Sequence, residues 1–201
     1  MTQDTAHTDK MKALQAEKNK KVSEAKDPER GLILVHTGHG KGKSSSAFGV
    51  VARALGWEHK VGVVQFIKGK WVTGERQFFR RFEDELVWHT IGYGFTWNTQ
   101  DMKKDKETAS AALQTGLDMM ASGDFDLIVL DEINIALHYN YLDVAQVIAG
   151  LEERHKRTSI ILTGRNAKEE LMAYADLVTE MKEIKHPFKN AGIKAQRGID
   201  F

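Results

Sequence analysis

The sequence predicts an α/β fold of three layers, in which a mostly parallel six-stranded sheet carries helices on both faces. Three observations predict it. Apolar runs suited to doubly covered strands recur at 32–36, 61–67, 86–91, 126–131, 159–163 and 176–183. Helical stretches lie between most of them, at roughly 43–56, 105–122, 142–154 and 167–175. The first run passes through a glycine-rich turn directly into the first of those helices. In such sheets ligands bind beyond the carboxyl ends of the strands, so that turn marks the functional edge.

Taken in order, the chain begins with an arm, residues 1–30, set apart by composition. Lys, Glu, Ala, Gln and Asn dominate it, and its larger apolar residues are Met11, Leu14 and Val22. That stripe is too thin to fix a helix by itself. Two readings stay open: a frayed tail, or an arm that orders over a ligand or a neighbouring subunit. Residues 31–201 read as one domain, with Pro28 and Pro187 at its margins.

The apolar strand Leu32-Ile33-Leu34-Val35 leads into Thr37-Gly38-His39-Gly40-Lys41-Gly42-Lys43-Ser44-Ser45, and Ser46-Ala47-Phe48-Gly49-Val50-Val51 continues as helix. Strand, glycine turn and helix start together let backbone N–H groups wrap a polyphosphate. This is a P-loop, and it makes the expected fold RecA-like. Lys43 is expected to reach the terminal phosphates and the Ser44 hydroxyl to sit on magnesium. The spacing departs from the usual one. Thr37 stands at the first glycine position, and glycine arrives one place later, at Gly38. Gly40 and Gly42 still allow the backbone to take φ > 0 and come close to an anion. His39 either adds a phosphate contact or points outward. Arg53, on the first helix, is a candidate nucleotide contact set against the plainer reading of a solvated charge.

Phe125-Asp126-Leu127-Ile128-Val129-Leu130-Asp131-Glu132 is an apolar strand ending in two carboxylates. In P-loop proteins an acid at this point holds the magnesium, directly or through water. A chelate with Ser44 needs the two strand ends to be neighbours, which this fold class permits. Which of Asp131 and Glu132 meets the metal stays open. Residues 68–104 contain Lys68-Gly69-Lys70-Trp71, Gly74-Glu75-Arg76 and Gly92-Tyr93-Gly94-Phe95-Thr96-Trp97. Phe95 and Trp97 either pack into the core or, pointing the same way if the loop is extended, make a wall for a large flat ligand.

Composition narrows the function classes. A net charge of +1 over 201 residues gives no bulk field to recruit nucleic acid or an anionic membrane. The absence of cysteine excludes disulfides, zinc–thiolate sites and thiol nucleophiles. No apolar stretch reaches the length of a membrane span, and Met1-Thr2-Gln3-Asp4 carries no signal pattern. The expected location is the cytoplasm.

With these residues in place, the sequence resembles the ATP:corrinoid adenosyltransferases of the bacterial cobalamin pathway, from Gly31 to Phe201. The resemblance runs through the short loop Gly38 to Ser44, Val64-Gln65-Phe66-Ile67-Lys68-Gly69, Gly94-Phe95-Thr96-Trp97, Val129-Leu130-Asp131-Glu132 and Thr163-Gly164-Arg165. It extends to Lys185-His186-Pro187-Phe188 and to the ending Gly198-Ile199-Asp200-Phe201. It implies that the 5′-deoxyadenosyl group of ATP moves onto corrinoid cobalt, as in cobalamin, with release of triphosphate. Cofactor requirements would be magnesium or manganese, and an electron donor such as a flavodoxin or reduced flavin. By the same resemblance, Phe95 and Trp97 displace the lower axial ligand of cobalt, and Lys41, Lys43 and the metal stabilise the departing triphosphate. Residues 5–26 become a helical lid over the corrinoid, and the protein is a homodimer. The family loop often has Asn where His39 stands and threonines at Ser44 and Ser45; serine keeps the hydroxyl.

Other readings are a RecA-like ATPase acting on nucleic acid, opposed by the charge balance, and a small-molecule kinase with Arg76, Arg80 and Arg81 as a phosphoryl clamp. A GTPase lacks its Asn-Lys-x-Asp reader.

Overall fold

In a computed structural model, the chain is described over residues 3–26, 29–66, 73–92 and 101–201. In chain order the elements are α1 (Gln3–Glu24), β1 (Ile33–Thr37), α2 (Lys43–Leu55), β2 (Val61–Gln65) and α3 (Gly74–Phe79), followed by a 3-10 turn (Arg80–Phe82). Then come β3 (Leu86–Thr90), α4 (Met102–Ser122), β4 (Leu127–Asp131), α5 (Ile133–His138) and α6 (Val144–Glu153). The chain ends with β5 (Ser159–Thr163), α7 (Glu169–Tyr174), β6 (Leu177–Glu180) and α8 (Pro187–Ala191). The strands form one sheet in the order β3-β2-β4-β5-β1-β6, with every pairing parallel. All six expected strands are present: β5 has the expected bounds, β1 is shifted one residue later, and the other four are shorter than expected. The short helices α3, α5 and α8 were not expected, because five or six residues hold too little periodicity to show.

Alternation along the strands divides the core into two layers. On one face α2 turns Ala47, Phe48, Val51, Ala54 and Leu55 onto Val61, Val63, Leu127, Val129 and Ile161. On the other face α4 and α6 bring Leu113, Met120, Val147 and Leu151 onto Val64, Ile128, Leu130 and Leu162. Helix α4 is well delimited: the Asp101 carboxylate accepts from the Lys103 and Lys104 N–H groups, and Gly123 ends the helix at φ 76°.

Strand β6 differs from the expectation of double cover. Leu177, Val178, Thr179 and Glu180 are all exposed. It is the edge strand, paired only to β1, and none of the described helices covers it. Its start is stapled to the start of β1: Asp176 accepts from Arg30 at 2.5 and 2.8 Å and from the Ile33 N–H at 2.8 Å. The Arg30 guanidinium beside it holds the Asp176 carboxyl below the usual carboxylate range.

Helix α1 takes up most of the arm. Its residues from 7 onward are exposed, with ion pairs Lys21–Glu17 at 2.7 Å and Lys20–Glu24 at 3.9 Å one turn apart. No helix among the described residues is long and apolar enough to cross a membrane.

Candidate active site

The phosphate loop begins one residue late because Thr37 is still strand. The Thr37 hydroxyl accepts from the Ala167 N–H at 3.1 Å, and its carbonyl accepts from the Met181 N–H at 2.9 Å. A glycine there would give up the side-chain bond. The turn itself starts at Gly38, and positive φ falls at Gly38 (94°) and Gly42 (109°). Gly40, where φ > 0 was open, does not take it; glycine is needed there for close approach. The Gly40 N–H donates to the Met181 carbonyl at 2.6 Å, and a Cβ would stand 2.8 Å from that oxygen.

Gly42 is the N-cap of α2 and has no side chain to offer, and no acidic residue sits in the first turn. The first intrahelical bond runs from the Ser46 N–H to the Gly42 carbonyl at 2.7 Å. The N–H groups of Lys43, Ser44 and Ser45 precede it and have no intrahelical acceptor. The positive end of the helix dipole lies at the same place. Lys43 is only 7% exposed, and its ammonium donates back to the Gly40 carbonyl at 2.5 Å, across the turn. Burial pushes its pKa down from the ordinary lysine value; Glu132 opposes this, while Arg165 and Lys41 reinforce it. The charges that act on Lys43 are therefore Lys41, Glu132, Arg165 and Glu183.

Next to the loop, the strand ends carry one polar row on the α2 face. Strand register aligns Thr90 with Gln65, Gln65 with Asp131, and His36 with Thr163. Asp131, fully buried, accepts at Oδ2 from the Gln65 amide at 2.9 Å and at Oδ1 from the Thr163 hydroxyl at 2.8 Å. The Thr163 hydroxyl in turn accepts from the Glu132 N–H at 2.9 Å. His36 lies under the loop with a buried Nδ1 that meets no partner among the described residues, and burial pushes its imidazole pKa down.

The strands ending in Thr37 and Asp131, which a direct chelate would need as neighbours, are not adjacent: β5 lies between β1 and β4. Two strand spacings separate their axes by about 9.5 Å. Thr163, on the intervening strand, fills the gap.

The other side of the loop is built by the chain after β6. Lys41 pairs with Asp200 at 2.5 Å, and Asp200 also accepts from the Gln196 N–H at 2.8 Å. Lys41 holds the Asp200 carboxyl below its ordinary range. A cavity of about 360 Å³ lies among Lys41, His186, Phe188, Ile193, Lys194 and Asp200.

Of the residues expected at the site, the structure gathers Gly38, Gly40, Lys41, Gly42, Lys43, Ser44 and Ser45 in one turn. It places Asp131 and Glu132 one strand further away. His39 is exposed. Arg53 is also exposed, ten residues along α2 from Lys43, which is about 15 Å of helix. Phe95 and Trp97 lie outside the described residues, as does Lys68-Gly69-Lys70-Trp71. Of the arginines in the clamp reading, Arg76 lies over the Trp88 ring at 5.3 Å and Arg81 over the Phe78 ring at 5.9 Å. Gln65, Thr163, Arg165, Met181 and Asp200 were not foreseen as site residues. Gln65 had a legible signal, a lone amide at the end of the apolar run Val61-Gly62-Val63-Val64.

The family model for the ATP:corrinoid adenosyltransferase BtuR/CobO/CobP matches residues 29–201. A corrinoid adenosyltransferase of Pseudomonas aeruginosa is 50% identical over 198 residues, 98% of this chain and 97% of that protein. One of Escherichia coli is 41% identical over 181 residues, 90% of each chain. Corrinoid adenosyltransferase CobA of Salmonella typhimurium is 42% identical over 181 residues, again 90% of each. Among solved structures, the flagellar accessory protein FlaH from Methanocaldococcus jannaschii superposes with a TM-score of 0.51 at 15% identity. That superposition covers 76% of this chain and 71% of that one, a likeness of fold alone. With its glycine turn, buried lysine and acid-ended strand, the chain belongs to the ATP:corrinoid adenosyltransferase family and is a corrinoid adenosyltransferase.

Proposed function

We propose that the loop from Gly38 to Ser45 grips the triphosphate of ATP as a leaving group and presents C5′ of the ribose to corrinoid Co(I). The cobalt electron pair forms the Co–C5′ bond, the C5′–O bond breaks, and its pair leaves on triphosphate. No side chain attacks, so the protein's work is orientation and electrostatics. One observation carries this reading: a buried lysine at a helix start that no side chain caps. The N–H groups of Lys43, Ser44 and Ser45, which lack intrahelical acceptors, together with the ammonium groups of Lys43 and Lys41, stabilise the charge that develops on the departing oxygens.

The oxygen donors suit a hard cation. Among the described residues no group of three or more His, Cys, Asp or Glu forms a cage. Magnesium needs none, because it takes one or two protein oxygens and fills its shell with phosphates and water. The Ser44 hydroxyl and the Asp131 carboxylate, with Glu132 beside it, would hold it. When bound, the ion neutralises charge on the triphosphate. The distance across β5 favours Asp131 acting through water.

Phe95 and Trp97 form an apolar wall that offers cobalt no donor and so favours the lower-coordinate metal. Residues 5–26 cover the corrinoid, the chain is a cytoplasmic homodimer, and a flavodoxin or reduced flavin supplies the electron that makes Co(I). Incubation with Mg·ATP and chemically reduced cobalamin is expected to yield intact triphosphate and a light-sensitive cobalt–carbon species. ADP and phosphate as products would overturn the reading. Phe95→Ala with Trp97→Ala is expected to spare ATP binding and to impair turnover from Co(II), with recovery when Co(I) is supplied. Equal loss in both assays would remove the aromatic wall from the scheme.

A further inference from the structure

Gln65 does something that neither the phosphate loop nor the acid explains. It ends β2, is 4% exposed, and makes three side-chain hydrogen bonds. Its Oε1 accepts from the Trp88 indole N–H at 3.0 Å and from the Thr90 hydroxyl at 3.2 Å, both on β3. Its Nε2 donates to Asp131 Oδ2, on β4. The direction of the amide is fixed by chemistry. An indole N–H only donates, so the oxygen of Gln65 must face Trp88 and the nitrogen must face Asp131. The bonds therefore run one way, from indole to amide to carboxylate.

The relay has two consequences. It presents Asp131 with a donor at each oxygen, Gln65 on one side and Thr163 on the other, so the carboxylate plane cannot turn without breaking a buried hydrogen bond. It also ties that carboxylate to β3, the strand that runs into the segment bearing Phe95 and Trp97.

We propose that Gln65 is a positioning residue for Mg·ATP: it sets the orientation in which Asp131 serves the metal, and Trp88 sets the direction of Gln65. This rests on the reading of Asp131 as a metal-serving acid.

The test compares ATP binding with and without Mg²⁺ by titration calorimetry on the full chain, for the parent, Gln65→Met, Trp88→Phe and Asp131→Asn. The readout is the gain in ATP affinity on adding Mg²⁺, which a merely structural role would not move selectively. Gln65→Met keeps length and apolar packing and removes both hydrogen-bonding ends. It is expected to cut that gain about tenfold while metal-free ATP affinity changes less than twofold, on the general worth of a charge-assisted bond. Trp88→Phe keeps one aromatic ring while removing the donor and some buried volume, and should cut the gain by about two- to fivefold in the same pattern. If Asp131→Asn abolishes the gain while both other variants retain it, Gln65 is not a positioning residue. If Asp131→Asn itself retains the gain, the metal reading of Asp131 fails and the proposal falls with it. If Gln65→Met does not fold, Trp88→Phe decides by the same criterion.

Discussion

The phosphate loop has two unlike flanks. On the β5 and β4 side stand Thr163, Asp131 and Gln65, buried, in strict strand register and joined by hydrogen bonds of 2.8 and 2.9 Å. On the β6 side stand Met181 and Asp200, both half-buried, with a chain after Glu180 that is mostly exposed, tied to the loop by one backbone bond and one ion pair among the described residues. Groups on the first flank are costly to move, because each break leaves a buried polar atom unsatisfied. The Lys41–Asp200 pair joins a lysine side chain 55% exposed to a carboxylate 11% exposed, so the lysine end is the cheaper of the two to exchange. The loop thus has one side that fixes geometry and one that yields when a stronger anion competes for Lys41.

The sharpest way to break this contrast is at the residue both flanks enclose. Lys43→Ala is expected to weaken ATP binding about 100-fold, as loss of a charged, desolvated contact does, and calorimetry checks it. An unchanged affinity would contradict the phosphate assignment. Gly40→Ala comes next. Its methyl meets the Met181 carbonyl at 2.8 Å, so the loop and the chain after β6 must part. Overpacking of about 1–3 kcal/mol is expected, seen as a lower melting temperature together with weaker ATP binding. Asp200→Asn tests the yielding flank: release of Lys41 is expected to tighten ATP binding about two- to threefold while leaving the melting temperature nearly unchanged. A large loss of stability would make that flank as rigid as the other.

The smallest effect at neutral pH concerns Lys43 ionisation. Burial lowers its pKa, and phosphate binding uses the charged form. ATP affinity should therefore be retained at neutral pH and decline with rising pH before the ordinary lysine range is reached. Lys43→Arg, which stays charged, should flatten that decline whatever its effect at pH 7.

Most of the sheet was legible because β1, β2, β4 and β5 are buried on both sides, and continuous apolar runs report that directly. The same signal misled at β6. Leu177 and Val178 are as apolar as their counterparts, yet composition states only what a strand tolerates, not what covers it. At the candidate site, the placement of Lys43 and Ser44 at the start of α2 and of Asp131 at the end of β4 was legible from the order of strand, glycine turn and helix and from the acid-ended apolar run. Gly40 was legible as glycine but not in its reason, since the Met181 carbonyl that needs the room lies 141 residues later. Thr163 and Asp200 were hidden for the same cause: nothing local to either marks a partner that only the strand order, or the fold of the last residues, brings near.

Glu132 has a left-handed backbone, φ 66°, at the bend where β4 turns into α5. A side-chain-bearing residue in that region costs on the order of 1 kcal/mol, which glycine escapes. Glu132→Gly is accordingly expected to melt at or above the parent temperature while losing catalytic rate. A laboratory search rewarding heat resistance alone would drift toward that substitution, whereas, on the proposed place of Glu132 beside the metal, one rewarding product would keep the acid.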